Sequence, residues 1–166
     1  MDTLKEYIQK NLIITNKEAE ELGYTRHNLS ELTKIGQLER LRPGLYQLKG
    51  KVIDDFVLIS SNSNRIIFSH QTVLYLHDLS DRTPNVFHIS VPQGYNAIHI
   101  KKRYEDLQAH YVKKDLYELG KIEIKSPLGN LIPVYDIDLT ICDIIIDREK
   151  IDKQIFTDAI KRYFKS

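Results

Sequence analysis

Tryptophan is absent from this 166-residue chain, and cysteine occurs only once. The single Cys142 excludes an intrachain disulfide and any zinc cluster built from cysteines. Because Cys142 lies in the apolar run at residues 139–146, we expect it to pack in a core rather than to act as a reactive thiol.

Long apolar runs are also missing. No window holds the ~18 apolar residues that a membrane-spanning helix needs. The amphipathic start at residues 1–8 lacks the apolar centre of a signal peptide. We therefore predict a cytoplasmic protein with no membrane partner.

An excess of charge of one sign is missing as well. The 24 Lys and Arg residues nearly balance the 23 Asp and Glu residues, so the formal net charge is +1. This balance argues against a protein that coats polyanions non-specifically, but it allows a local basic patch. The length suits one or two small domains.

Residues 15–49 have the pattern of a winged helix-turn-helix. Asn16 is an N-cap type of residue at the start of one short helix, and Gly23 ends that helix. Thr25 can cap a second helix, and Gly36 ends it. The buried stripe of the second helix is predicted to comprise Leu29, Leu32 and Ile35.

A basic β-hairpin is predicted directly after the second helix, with Pro43-Gly44 at its tip. Helix, turn and second helix in this order place a helix N-terminus in the DNA major groove. Arg, Asn and Ser suit guanine, adenine and phosphate respectively. The predicted DNA-binding residues are Thr25, Arg26, His27, Asn28, Ser30, Lys34, Arg40, Arg42 and Tyr46. The alternative is a protein-interaction module with the same fold.

The remaining sequence predicts an α+β domain. We place the boundary between residues 51 and 52, which gives a DNA-binding domain at 1–51 and a second domain at 52–166. The second domain should contain a mixed or antiparallel sheet and C-terminal helices, with a helix from Ser69 to Leu79. Strands are predicted at 86–92, 97–100, 109–112, 121–124 and 131–135, the last at an edge because of Pro133. Helices are predicted at 138–147 and 152–164.

Several segments together resemble the AbiEi-type antitoxins of type IV toxin–antitoxin, or abortive infection, systems. The segments are 36–46 (GQLERLRPGLY), 68–79 (FSHQTVLYLHDL), 88–92 (HISVP), 134–143 (VYDIDLTICD) and 158–163 (DAIKRY). Their order and spacing are more specific than any one of them, and the resemblance extends over nearly the whole chain.

The resemblance implies a transcriptional repressor whose winged domain binds inverted repeats in its own promoter. It also implies opposition to a nucleotidyltransferase-like toxin, through direct binding or through function alone. Family members often carry further helical sequence after the position of Tyr163, whereas this sequence ends at Ser166. Either the chain is a short member or the sequence is a piece of a longer one. The resemblance therefore supports DNA binding more strongly than it supports the role against a toxin.

Patterns typical of enzymes are present but incomplete. Asp136 and Asp138 have the spacing of a nucleotidyltransferase metal pair, but the chain contains no Gly-Ser dipeptide, and Asp138 suits a helix cap better. Glu123-Ile124-Lys125 resembles half of a nuclease core, but the Pro-Asp neighbourhood expected of such a site is missing, and alternating charge on a half-solvated strand explains the triplet without chemistry. We predict no catalytic residue and no cofactor.

Histidines provide no recognisable metal motif. His70 and His77 share a predicted helix face, and His88 and His99 lie in predicted strands, but spacing cannot show that they converge. We predict half-buried histidines bonded to backbone carbonyls, and no metal site. Adjacent helical residues point in different directions, so Ser69 and His70 should not form a nucleophile–base pair.

Two basic clusters lie outside the winged motif, at residues 101–103 and 113–114. They could extend a DNA footprint through phosphate contacts. Equally, they could be solvated loop charges that nearby acidic residues offset.

Overall fold

The chain forms two compact units, Met1–Ile53 and Asp54–Ser166. The structure is a computed structural model, and it describes residues 2–165. The predicted α+β class is confirmed, with three helices and a three-stranded sheet in the N-terminal unit and helices around a five-stranded sheet in the C-terminal unit. Within residues 2–165 no helix has the length and apolarity to cross a membrane.

The N-terminal unit consists of three helices and a three-stranded antiparallel sheet. Its elements are α1 (Asp2–Asn11), β1 (Ile13–Thr15), α2 (Asn16–Glu21), α3 (Arg26–Lys34), β2 (Leu38–Arg42) and β3 (Leu45–Leu48). The strand order is β1-β3-β2, so β3 is the central strand. The core comprises Leu4, Ile8, Ile14, Ala19, Leu29, Leu38 and Tyr46.

Helices α2 and α3 each begin with a capping box. Thr15, not Asn16, caps α2: its Oγ accepts the Glu18 N–H, and the Glu18 side chain accepts the Thr15 N–H. Asn16 instead is the first helical residue. The predicted Thr25 cap of α3 is present. Each box satisfies helical N–H groups that the helix itself leaves unpaired.

The apolar stripe of α3 is shorter than its spacing predicts. Leu29 is fully buried and Leu32 is partly buried, but Ile35 is 67% exposed. Ile35 is the C-cap of the helix, where the chain turns through Gly36 at φ +81°. The turn moves Ile35 off the helix face that packs on the core, so the prediction for this residue was wrong.

The C-terminal unit surrounds a mixed five-stranded sheet. Its strands are β4 (Ile67–Phe68), β5 (Phe87–Pro92), β6 (Leu107–Val112), β7 (Lys121–Lys125) and β8 (Leu131–Tyr135), in the order β6-β5-β4-β8-β7. Pairs β5–β6 and β4–β8 are parallel, whereas β4–β5 and β7–β8 are antiparallel. Its helices are α4 (Asp55–Ser60), α5 (His70–Leu76), α6 (Ile98–Arg103), α7 (Lys114–Tyr117), α8 (Ile137–Ile146) and α9 (Lys153–Lys165), with a 3-10 turn at Arg148–Lys150.

Two strand predictions in this unit need correction. Residues 98–100 begin helix α6, and Ala97 is its N-cap. Ala97 and Ile100, three positions apart, are both fully buried. Strand β8 is internal rather than at an edge. The short strand β4 pairs with β8 only at Phe68↔Val134, so Pro133 is tolerated where β4 offers it no pairing partner.

Helix α8 also differs from prediction at two residues. Its cap is Asp136, whose Oδ1 accepts the Leu139 N–H at 2.8 Å, while Asp138 lies inside the first turn. Cys142 is exposed, because α8 buries the face that carries Thr140, Ile141 and Ile144. The expected core packing of Cys142 was therefore wrong.

A buried carboxylate connects distant parts of the C-terminal unit. Asp54 caps α4 by accepting the Phe56 N–H, and its other oxygen accepts Ser126 Oγ–H at 2.6 Å and the Asn130 side-chain amide at 2.8 Å. Asp54 is 8% exposed. Three donors thus compensate the burial of this polar group.

Candidate nucleic-acid interface

Helix α3 presents a polar N-terminal turn with a fixed start. The Thr25 Oγ accepts the Asn28 N–H at 3.1 Å, and the Asn28 Oδ1 accepts the Thr25 N–H at 2.8 Å. Both residues are exposed, so this capping box lies on the surface. The positive end of the α3 dipole and its unpaired N–H groups favour a negatively charged group here.

The capping box changes the role available to Asn28. A bidentate pair with adenine uses both the oxygen and the nitrogen of an Asn amide. The Asn28 oxygen is already bonded to the backbone of Thr25. Reading a base would therefore break the cap, and positioning the helix start is the role that fits the geometry better. The Thr25 hydroxyl hydrogen, in contrast, is compatible with donation to a phosphate.

Arg26, His27 and Ser30 are the predicted base-reading residues that the structure leaves accessible. All three are exposed, and the Arg26 side chain is 78% exposed. Its nearest acidic partner is Glu20, at 4.0 Å and itself 57% exposed, a distance and exposure at which the attraction is weak. Arg26 can therefore exchange this partner for a DNA group at small cost.

Lys34 lies in the last turn of α3, far along the helix from Arg26. Its Nζ is 3.4 Å from the Glu31 carboxylate, and both side chains are at least half exposed. The location suits a phosphate contact at the groove edge better than a base contact.

The wing is the β2–β3 hairpin, with Pro43 and Gly44 in its turn as predicted. Gly44 adopts φ +79°, and its carbonyl accepts the Asn16 N–H at 3.1 Å. Register shifts between Arg40 and Arg42, which leaves one extra residue in β2. Such a bulge increases the local twist of a strand. The hairpin tip is consequently fixed against the start of α2.

The predicted wing contacts divide into two kinds. Arg40 is exposed and Arg42 is partly buried, so both can present charge near the surface. Tyr46 is only 7% exposed, because it lies in the central strand and packs in the core of the unit. Tyr46 therefore offers little surface for a DNA contact, and we do not include it among the proposed contacts below.

Gln47 is a positioning residue that the sequence pattern did not reveal. It is 4% exposed, and its side-chain amide donates to the Glu39 carboxylate at 3.1 Å and to the Lys51 carbonyl at 3.2 Å. Gln47 therefore holds the one acidic side chain of the hairpin against the sheet. Gln47 is flanked by Tyr46 and Leu48, and nothing in this local sequence indicated the role.

The other basic clusters belong to the C-terminal unit. Residues Lys101, Lys102 and Arg103 form the last turn of α6, where cations suit the helix dipole. Arg103 donates to the Asn62 side chain at 2.6 Å, and Lys101 Nζ lies 5.4 Å from the centre of the Tyr111 ring. At least two of these cations thus have partners within their own unit.

The carboxylates with enzyme-like spacing have structural contacts. Asp136 caps α8, and Asp138 accepts the Tyr163 O–H at 2.7 Å. Glu123 lies exposed on β7 opposite Pro133. The spacing of these residues is therefore explained without metal chemistry.

The histidines differ from one another more than predicted. His77 fits the prediction, because its Nε2 is 3.0 Å from the Tyr135 carbonyl. His99 is exposed on α6 rather than in a strand. His70 and His88 contact other side chains instead of carbonyls, together with His110, which the spacing gave no reason to include.

Ser69 and His70 do approach each other, contrary to prediction. Ser69 precedes α5 in extended conformation and His70 has φ +55°, so the two are not consecutive helical residues. Ser69 Oγ is 2.9 Å from His70 Nδ1. Ser69 is fully buried, however, so no substrate reaches its hydroxyl group.

Taken together, the capped α3, its exposed polar face and the basic hairpin define the N-terminal unit as a winged helix-turn-helix. Residues 2–49 match the model of a family described as "Transcriptional regulator, AbiEi antitoxin". The resemblance to AbiEi antitoxins is thereby confirmed over these residues, and the description of the matching family is that of a transcriptional regulator. No curated protein matches the chain at a significant level.

Proposed function

We propose that this chain is a DNA-binding transcriptional repressor whose N-terminal unit reads a specific operator. The observation that carries the proposal is the exposed, capped N-terminus of α3 next to a basic wing in one compact unit. The match of residues 2–49 to a family of transcriptional regulators supports it.

In this proposal α3 enters the major groove with its N-terminal turn. Arg26 donates to a guanine edge, and His27 and Ser30 contact bases or adjoining phosphates. Thr25 donates to a phosphate while its oxygen keeps the cap, and Asn28 holds the helix start. Lys34 adds a phosphate contact.

The wing supplies contacts that position the protein without reading sequence. Arg40 and Arg42 bind the phosphate backbone or the minor groove beside the α3 site. Gln47 holds Glu39 inward, which keeps the acidic group away from the phosphates. The result is a local basic contact on a chain of almost neutral charge.

We further propose that the operator consists of inverted repeats in the promoter of the chain's own operon and that the protein acts as an antitoxin. The C-terminal unit, residues 54–166, then opposes a nucleotidyltransferase-like toxin. The support is the family resemblance alone. A neighbouring gene that encodes Gly-Ser and Asp-x-Asp elements would strengthen this part, and restored growth on co-expression of the two genes would test it.

The DNA-binding proposal is tested by fluorescence anisotropy with the DNA directly upstream of the gene, across a salt series. A groove reader loses affinity steeply as salt rises, because counterions compete for the phosphates. Arg26→Ala should weaken specific binding by about 1–3 kcal/mol. Lys5→Ala, an exposed cation on α1, is the matched control and should bind as wild type.

Two outcomes would overturn the proposal. No salt-dependent binding to the upstream DNA would favour a protein-interaction module with the same fold. Equal affinity of Arg26→Ala and wild type would remove Arg26 from the reading surface.

A further inference from the structure

Four side chains from four parts of the C-terminal unit converge next to the sheet. His70 comes from the first turn of α5, His88 from β5, His110 from β6, and Asp147 from the end of α8. His70 Nε2 is 3.2 Å from Asp147 Oδ2, and His110 Nδ1 is 4.0 Å from the same oxygen. Within residues 2–165, His70, His110 and Asp147 form the only group of His, Cys, Asp and Glu side chains whose possible ligand atoms all lie within 4.8 Å of one another.

The other nitrogen of each coordinating ring already has a partner. His110 Nε2 is 2.9 Å from His88 Nδ1, and His70 Nδ1 is 2.9 Å from Ser69 Oγ. Ser69 in turn accepts the Ser90 O–H at 2.8 Å. If His110 donates to His88 and His70 donates to Ser69, the lone pairs of His110 Nδ1 and His70 Nε2 both face Asp147. This is the outer-shell arrangement that fixes histidine tautomers at metal sites.

All three histidine rings are mostly buried, and burial lowers the pKa of each of them.

We propose that His70, His110 and Asp147 bind one divalent first-row transition-metal ion of the Zn²⁺ type. His88 and Ser69 are positioning residues that orient the two imidazole ligands. Two imidazole nitrogens and one carboxylate oxygen suit zinc and its neighbours, whereas Mg²⁺ and Ca²⁺ prefer oxygen ligands only. The side chains of His110 and Asp147 are each 22% exposed, which leaves a path for the ion and a place for a water ligand.

Binding requires a small rearrangement of the rings. The His70 and His110 rings stack with centres 3.7 Å apart and planes at 12°, so their lone pairs lie in two nearly parallel planes. Tetrahedral ligands with metal–nitrogen bonds of about 2.0–2.1 Å need lone pairs that converge on the ion. One ring must therefore turn out of the stack toward Asp147. The ion would then link the end of α8 to β6 and to the start of α5.

Isothermal titration of the full, chelator-treated, tag-free chain with Zn²⁺ tests the site. We expect one equivalent to bind, the melting temperature to rise with zinc, and Co²⁺ to give the visible bands of a four-coordinate ion. His110→Gln and Asp147→Asn should weaken binding on the order of 100-fold. His88→Gln should weaken it about 10–100-fold, as loss of an outer-shell partner does. His99→Gln removes an exposed histidine and is the matched control.

The proposal fails if the wild-type chain binds no zinc at one equivalent, or if Mg²⁺ at the same concentration binds equally well. It also fails if folded His110→Gln and His88→Gln proteins, checked by circular dichroism, bind zinc as tightly as His99→Gln does. Should Asp147→Asn not fold, the two histidine variants decide the question alone.

Discussion

The two compact units of this chain use their polar side chains differently. In the N-terminal unit, polar groups near one another in sequence form capping boxes at the starts of α2 and α3, and cations remain on the surface. In the C-terminal unit, polar groups from distant positions meet inside, as Asp54 meets Ser126 and His70 meets His110. The first arrangement fixes the starts of two helices at the surface, and the second links distant parts of the C-terminal unit.

Removal of Asp54 should have the largest effect and should be confined to the C-terminal unit. Asp54→Ala leaves the buried hydroxyl group of Ser126 and the amide of Asn130 without their acceptor, which should cost about 2–4 kcal/mol of unfolding free energy. Urea unfolding, monitored by hydrogen exchange in each unit separately, measures this loss. The exposed neighbour Asp55 is the control, and a similar loss in Asp55→Ala would contradict the assignment.

Acid should destabilise the C-terminal unit of the metal-free protein before the N-terminal unit. The folded pKa values of His70 and His88 lie below the unfolded value of 6.5. Their contribution to the free energy of unfolding is therefore complete above pH 6.5, and it is lost as the pH falls toward 4. Asp143 acts in the opposite direction, because burial and the nearby Asp147 raise its pKa to about 6.

We expect a net loss of about 2–3 kcal/mol in the C-terminal unit between pH 6.5 and pH 4.5. Thermal unfolding in the presence of a chelator at several pH values checks this, with hydrogen exchange to separate the units. If the stability of the C-terminal unit did not change over this pH range, His70 and His88 would not be buried as neutral rings.

Loss of the α3 cap should have a moderate effect in the N-terminal unit. Thr25→Ala removes the oxygen that accepts the Asn28 N–H, and caps of this kind contribute about 1 kcal/mol. If α3 reads the operator as proposed, the same change should weaken operator binding, because Thr25 holds the start of that helix. Thr25→Ser keeps the oxygen and is the matched control. Equal stability of the Ala and Ser variants would show that the cap is not formed in solution.

Replacement of Lys34 should have the smallest effect on stability but a measurable effect on DNA binding. Its pair with Glu31 is exposed, so Lys34→Ala should change the unfolding free energy by less than about 0.5 kcal/mol. If Lys34 contacts a phosphate, the slope of log affinity against log salt should decrease by about 1. An unchanged slope would remove Lys34 from the interface while leaving the fold assignment intact.

Features set by neighbouring residues were predictable from the sequence. The Thr25 cap and the Pro43-Gly44 hairpin both depend on the backbone preferences of a few adjacent residues. Strands β5, β6, β7 and β8 were also found, because each carries several β-branched or aromatic residues. Local preference and local structure agree in all of these segments.

Features set by distant contacts were not predictable. Tyr46 was predicted to contact DNA from the wing. It is buried instead, because β3 is the central strand and pairs with β1 on one side and β2 on the other. Residues 97–100 were predicted to form a strand. In the structure Ala97 and Ile100 lie at the start of helix α6 and pack in the core against the sheet. His110 joins His70 and Asp147 only because β5 and β6 are parallel neighbours. No spacing rule contains this information.

The Asp54 carboxylate also has a consequence for how the chain folds. It bonds to Ser126, 72 positions away, and β4 pairs in parallel with β8, which lies far along the chain. Contacts over such separations require closure of long loops, which slows folding. The strands of the N-terminal unit find partners much closer in sequence. Refolding should therefore proceed in two phases, in which a fast phase forms the winged unit and a slower phase closes the five-stranded sheet.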